Sequence, residues 1–288
     1  MNMIYLDGAF MEAAQARISP FDRGFLFADG VYEVVPVFNG VPFRLDEHLQ
    51  RLERSLGELL IDNPRSRDGW RELCRALIDR NGGGNQALYL QVTRGATPKR
   101  DHAFPSPPVP PTQFMSSAPL SLSQIHDIDR ASGARVLTRE DNRWDRCDIK
   151  SISLLPNVMF REQAQRAGAA EVILKRDGYV TEGSSTNVFV VKDGRVATPP
   201  VSRRLLAGVT RNLTVELCRR HGLPIEERGV AEAELGTADE LWITSSTKDV
   251  LAIVALEGKP VGDGRPGPLW KQVAAHFLAY KREVCKLG

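Results

Sequence analysis

A mixed α/β chain of α+β character, divided into two domains, is what this sequence predicts. Three observations carry the expectation. Asn39-Gly40, Asp177-Gly178 and Asp193-Gly194 each separate short β-prone runs, the pattern of tight hairpins. Leu45, Leu49, Leu52, Leu56 and Leu59 recur at steps of four and three, which sets them on one helical stripe. At 288 residues the chain can form one large domain or two smaller ones, and the small, polar Ser116–Ser121 suits a linker. The expected division is therefore 1–118 and 119–288.

Taken in order, Ile4–Phe10 reads as β structure turning at Asp7-Gly8, and Val31–Phe38 pairs with Val41–Leu45. Pro36 cannot donate to a ladder, so it calls for an edge or a bulge. Within Val31–Val35, Tyr32 and Val34 share one face while Val31, Glu33 and Val35 share the other. Asp46 reads as the N-cap of the leucine-striped helix, which runs to about Leu60. A second helix is expected over Asp68–Arg80, with a C-cap at Asn81-Gly82. Ala87–Arg94 is a strand, followed by a basic loop with Arg100 and His102 and by the proline-rich stretch Pro105–Pro111. Further on, Leu154–Ala167 reads as a helix with Pro156 in its first turn. Glu171–Lys175 with Tyr179–Glu182, and Val188–Lys192 with Arg195–Thr198, make two successive hairpins. A helix over Thr210–Arg220, a strand at Leu241–Thr244 and a helix over Leu269–Val284 complete the chain.

Composition excludes several classes of function. The 38 basic and 36 acidic residues nearly cancel and form no block of one sign, so neither nucleic acid nor an anionic membrane is an expected partner. The first ten residues lack a basic leader and are broken by Asp7, and no apolar run is long enough to span a membrane; a cytoplasmic protein is expected. Cys74, Cys147, Cys218 and Cys285 are scattered without CxxC spacing, which fits free thiols in a reducing compartment. The five histidines show neither HExxH spacing nor a His/Cys cluster, so no catalytic metal is expected. Gly262-Asp263-Gly264-Arg265-Pro266-Gly267 satisfies GxGxxG, but Pro266 and Pro268 disrupt the helix a dinucleotide would need; a loop is expected there.

The chemistry-bearing stretches are Arg146-Cys147-Asp148-Ile149-Lys150-Ser151 and Thr181-Glu182-Gly183-Ser184-Ser185-Thr186-Asn187-Val188-Phe189. Lys150 lies among Ile149, Ile152, Leu154 and Leu155. Desolvation by such neighbours favours the neutral, nucleophilic amine, although on the segment alone a lysine snorkelling from a strand end is the favoured reading. Together the two stretches resemble the fold type IV pyridoxal-phosphate enzymes, most closely the D-amino-acid aminotransferases. The resemblance runs from Tyr5-Leu6-Asp7-Gly8 to the loop before Trp270.

That resemblance implies two α/β domains with pyridoxal 5'-phosphate in the cleft between them, and a homodimer whose loops complete each other's sites. It makes Lys150 the residue that forms the Schiff base and Glu182 the partner of the pyridine nitrogen. Arg51, Val209, Thr210, Ser246 and Thr247 become the phosphate cup. Arginine suits that task because its planar fork stays charged, and the start of the helix near Thr210 offers outward N–H groups. Tyr32, Arg100 and His102 become the trap for the substrate carboxylate, the last two acting across the dimer. The implied reaction moves an amino group from a D-amino acid to a 2-oxo acid through pyridoxamine phosphate, by default D-alanine with 2-oxoglutarate. Branched-chain aminotransferase, (R)-amine transaminase and aminodeoxychorismate lyase share the lysine, glutamate and phosphate cup. A non-catalytic pyridoxal-phosphate binding protein is the alternative from another class.

Overall fold

The computed structural model describes residues 3–287. By contacts the chain divides into two units: one holds the chain up to Ser121, from Val284 onward, and the short strip Ile149–Ser153; the other holds the rest. The division expected from sequence puts Lys150 with the second domain, whereas its strip makes its contacts with the first unit.

The first unit is built on an antiparallel sheet, six-stranded among the described residues, in the order β2-β1-β6-β5-β3-β4. Its strands are β1 (Met3–Leu6), β2 (Ala9–Glu12), β3 (Gly30–Phe38), β4 (Val41–Pro42), β5 (Gln86–Thr93) and β6 (Thr112–Pro119). The helices are the five-residue α1 (Arg23–Phe27), α2 (Leu45–Glu58) and α3 (Arg67–Arg80). The leucine stripe of α2 is the face that is buried, and it packs with Val31, Val35, Leu88, Leu90 and Val92 of the sheet and Trp70, Leu73 and Leu77 of α3. Alternation along β3 holds: Tyr32 and Val34 are half-buried, while Val31, Glu33 and Val35 lie in the interior. Pro36 is tolerated because β4 pairs with β3 only from Val37 onward.

Three local expectations are corrected. Asp46 lies inside the first turn of α2, where its charge favours the helix dipole; the N-cap is Arg44 in the left-handed region. Its carboxylate pairs with Arg71 of α3. The strand at Val41 stops at Pro42 rather than running to Leu45, which begins α2. The supposed linker at Ser116–Ser121 is largely strand: β6 continues to Pro119, between β1 and β5. Its small side chains carry little hydrophobic signal, yet Met115 and Ser117 are buried there.

The strip Ile149–Ser153 joins β3 where β4 does not reach. Ser151 bridges Val31, the Tyr32 N–H donates to Lys150 O and the Ile152 N–H to Gly30 O, both at 3.0 Å. Gly30 is needed at this crowded point. A Cβ there would stand 2.6 Å from Val92 O and 3.1 Å from Ile152 Cδ1.

The second unit carries a mixed sheet of β7 (Ala134–Glu140), β8 (Glu171–Arg176), β9 (Tyr179–Gly183), β10 (Asn187–Lys192), β11 (Arg195–Thr198), β12 (Ile225–Glu227), β13 (Glu240–Ser245) and β14 (Asp249–Leu256), with β15 (Lys259–Pro260) on β14. The order is β12-β11-β10-β13-β14-β7-β8-β9, with parallel pairing at β11–β12, β14–β7 and β7–β8. Both hairpins expected from sequence form, β8–β9 and β10–β11. The helices are α4 (Leu155–Arg166), α5 (Val209–Arg220), the short α6 (Glu232–Leu235) and α7 (Pro268–Cys285). Val188, Val190, Leu241, Ile243, Leu251 and Ile253 form the centre of its core. The GxGxxG stretch is the loop that precedes α7. No helix is long and apolar enough to cross a membrane, and no group of three or more His, Cys, Asp or Glu could hold a metal ion, both among the described residues.

Candidate active site

The site residues read from sequence fall into two sets, one in each unit. In the first unit Lys150 is half-buried, and its Nζ lies 4.2 Å from the centroid of the Tyr32 ring, a cation–π contact. Its backbone is fixed on both sides, by Tyr32 N–H on its carbonyl and by its own N–H on Ser55 Oγ. The apolar wall expected around it is incomplete. Ile149 is buried in the core, but Leu155, at the start of α4, is 71% exposed.

Beneath Tyr32, on the core face of β3, lies a charged cluster that periodicity did not announce. Glu33 is fully buried, and Arg51 and His48 of α2 both reach it. Arg51 Nε donates to Glu33 Oε1 at 2.7 Å and Nη2 to Oε2 at 2.8 Å, while His48 Nδ1 lies 2.7 Å from Oε2. Burial alone would raise the Glu33 carboxyl, but the Arg51 charge and hydrogen bond, with His48, hold it well below the usual carboxylate range. Burial pushes His48 below its ordinary value despite Glu33, so the ring is neutral at pH 7. Neutral His48 carries its proton on Nδ1, because Glu33 can only accept. The guanidinium expected to hold phosphate is thus oriented by a buried carboxylate.

Arg100 and His102 are exposed, on the loop after β5. Phe27 of α1 lies under both: the Arg100 guanidinium is 4.9 Å from its ring centroid, and the His102 ring 5.2 Å.

In the second unit Glu182, next to last in β9, is a buried carboxylate with donors on both oxygens. Arg143 Nη1 donates to Oε1 at 2.8 Å; the Leu206 N–H at 3.0 Å and Asn187 Nδ2 at 3.3 Å donate to Oε2. Arg143 is itself held by Asp141 through Nε and Nη2, each at 2.9 Å, and Thr181 Oγ1 donates to Asp141. Burial pushes the Glu182 carboxyl up to about 7, with the Arg143 charge and hydrogen bond and then the Leu206 N–H pulling it back toward ionisation. Burial opposes the Arg143 charge, but the Asp141 hydrogen bond and the neighbouring carboxylates raise its pKa further. A carboxyl poised in this way can hold or share a proton with a ring nitrogen. Sequence reasoning missed Arg143 and Leu206, which reach Glu182 from separate parts of the chain, and Asp141, which holds Arg143.

Val209 and Thr210 are buried at the start of α5, which has Gly208 as N-cap and no side-chain cap. Gly208 is required by close approach, since a Cβ would stand 2.1 Å from Asn187 Oδ1. α5 packs on β13 and β14, whose turn carries Ser246 and Thr247. The buried Thr186 Oγ1 and Thr244 Oγ1 have no hydrogen-bond partner, and Thr244 stands directly opposite Asn187 across β10–β13. An uncapped helix start, orphaned hydroxyls and a donor-backed carboxylate fit the phosphate and protonated ring nitrogen of a pyridoxal-type cofactor.

Comparison with known proteins gives a consistent result. Residues 30–256 match the family model of amino-transferase class IV. A D-alanine aminotransferase of Bacillus licheniformis is 41% identical over 272 residues, 94% of this chain and 94% of that protein. Another, from Staphylococcus aureus strain COL, is 37% identical over 280 residues, 97% and 98% of the two chains. Among solved structures, the branched-chain amino acid aminotransferase of Escherichia coli superposes with a TM-score of 0.87 at 23% identity, covering 96% and 93%. A fold IV transaminase from Curtobacterium pusillum gives 0.80 at 28% identity, covering 96% and 92%.

Proposed function

That the chain belongs to the class IV aminotransferases is the premise from which we propose that it transfers the amino group of a D-amino acid, D-alanine by default, to a 2-oxo acid such as 2-oxoglutarate, with pyridoxal 5'-phosphate as cofactor. The observation that carries the D-specific reading is the near full-length identity to proteins named D-alanine aminotransferase. The branched-chain enzymes share the fold at lower identity, which speaks for fold alone.

When bound, the cofactor supplies an electron-withdrawing ring conjugated to the substrate nitrogen. Lys150 would hold it covalently and, as a free amine, would carry the proton taken from the substrate Cα. Glu182, backed by Arg143, keeps the proton on the ring nitrogen. Arg51, the N–H groups of Val209 and Thr210, and the hydroxyls of Ser246 and Thr247 hold the phosphate. Tyr32, Arg100 and His102 hold the substrate carboxylate, the latter two offered to a partner subunit. A homodimer in the cytoplasm is part of the same proposal, and four buried free thiols agree with a reducing compartment.

The test has two parts. Borohydride reduction of the holoenzyme followed by peptide mass spectrometry should place the adduct on Lys150, and an adduct on Lys175 or another lysine would refute that assignment. D-alanine without acceptor should bleach the yellow absorbance of the enzyme while L-alanine leaves it. Preference for L-alanine would sink the D-amino-acid reading.

A further inference from the structure

We propose that Arg23 is the positioning residue of the carboxylate trap: its guanidinium clasps the backbone of the loop that carries Arg100 and His102. The proposal rests on the reading that those two side chains bind the substrate carboxylate.

Arg23 is only 4% exposed, although the loop it holds is at the surface. Its own position is fixed at both ends. The backbone N–H donates to Gly95 O at 3.0 Å, and Asp22 caps α1 by accepting from the Gly24 N–H at 2.8 Å. Asp22 is held in turn by the hydroxyls of Thr93 and Thr112. From this base the guanidinium spends its donors in two directions. Nε donates to Asp29 Oδ2 at 2.8 Å. Nη1 donates to the carbonyls of Asp101 at 2.6 Å and Ala103 at 3.1 Å, and Nη2 to the carbonyl of His102 at 3.2 Å. Three consecutive carbonyls therefore converge on one cation.

This arrangement separates the duties of the loop. Its backbone is tied inward to Arg23, which leaves the side chains of Arg100 and His102 for other work. A bare surface loop would have to be ordered when substrate binds, at a cost to affinity; a clasped one is ordered beforehand. The clasp is also rigid at its root. Asp29 accepts from Arg94 as well, through Nε at 2.7 Å and Nη2 at 3.0 Å, and Arg94 donates on to the carbonyls of Leu59 and Leu60 at the end of α2. Removing Arg23 alone therefore leaves Asp29 paired with Arg94, and no buried carboxylate is stranded. That makes Arg23 separable from the stability of the unit.

The test compares Arg23→Gln, Arg23→Lys and Arg100→Ala as holoenzymes. Donors are D-alanine and D-alaninol, which lacks the carboxylate, each followed in single turnover and, for D-alanine, at steady state. Arg23→Gln should raise the D-alanine KM by roughly tenfold, the equivalent of one charge-assisted hydrogen bond, with kcat little changed. Arg23→Lys keeps the cation but not the fork and should fall between. Cofactor retention and the D-alaninol rate should stay at wild-type level, while amide exchange should speed up over residues 100–104. If Arg23→Gln does not fold, the same split in Arg23→Lys decides the matter. Equal loss for both donors, or an unchanged D-alanine KM in a folded variant while Arg100→Ala raises it, would overturn the clasp and leave the carboxylate reading standing. An unchanged KM in Arg100→Ala would instead remove the carboxylate reading, and the clasp with it.

Discussion

Replacing Glu33 by glutamine probes the buried cluster under the sheet most directly. The two side chains have nearly the same shape, so the change removes charge and turns one acceptor into a donor. Arg51 Nη2 and His48 Nδ1 both donate to Oε2 now, and in Glu33→Gln one of the two amide positions faces donors with a donor. With His48 neutral, Arg51 is left as a buried cation without a counter-charge from Glu33. Removing one partner of such a pair costs about 3–5 kcal/mol. That is a large part of the ~5–15 kcal/mol typical of a folded domain. Native-state hydrogen exchange of the slowest amides in β3 and β5 reads the loss within this unit, and it avoids assuming that both units unfold together. The pH dependence has a definite sign. Folding depresses the Glu33 carboxyl, so its contribution is fully present above its ordinary value of 4.5 and fades as pH falls through the folded value. The difference between wild type and Glu33→Gln should be full at pH 7 and shrink in acid. Cofactor affinity should weaken too, since Arg51 loses its orientation. A loss below about 1 kcal/mol at pH 7 would refute the reasoning, because a surface pair would give as much.

Two further predictions concern the second unit. Arg143→Met removes the cation that pulls Glu182 toward ionisation, so the Glu182 carboxyl should rise above about 7, by about 1–3 pH units. The acid limb of the kcat/KM profile should move up accordingly; a limb that stays in place would separate Arg143 from the state of Glu182. Lys281 is fully buried on α7 and donates to Asp249, itself buried and in the left-handed region at φ 53°. Lys281→Met should cost about 3–5 kcal/mol in urea unfolding. Adding Asp249→Asn should recover most of it, because asparagine tolerates that backbone and carries no charge.

The fold was legible where local chemistry decides it. The Asp177-Gly178 and Asp193-Gly194 turns, the stripe on α2 and the start of α4 near Pro156 all follow from short-range rules, and the structure has them within a residue or two. It was least legible where small or polar residues are buried by context. Ser116 and Ser117 read as linker but lie in a strand flanked on both sides, and Asp46 reads as a cap but sits two residues past it, in the first turn. The site divides in the same way. Lys150 and Glu182 stand in recognisable stretches. Glu33, Arg143 and Arg23 do not, because a buried charge is defined by partners that lie 18, 39 and 78 residues away. Glu33 did fall on the interior face of an alternating strand, and a carboxylate on such a face is a signal that it must be paired.

The strip Ile149–Ser153 has a consequence for how the protein is made. A nascent chain that has reached Ser121 already contains every strand of the first sheet, yet the Tyr32 N–H and Gly30 O lack the partners that Lys150 and Ile152 will bring. At ~5–20 residues per second, synthesis from Leu122 through Ser153 takes roughly 2–6 s. For that interval the margin of β3 is an open template, and any other unfinished chain on the same polysome presents an identical one. The lysine proposed to hold the cofactor is therefore carried on the very segment that ends this vulnerable interval.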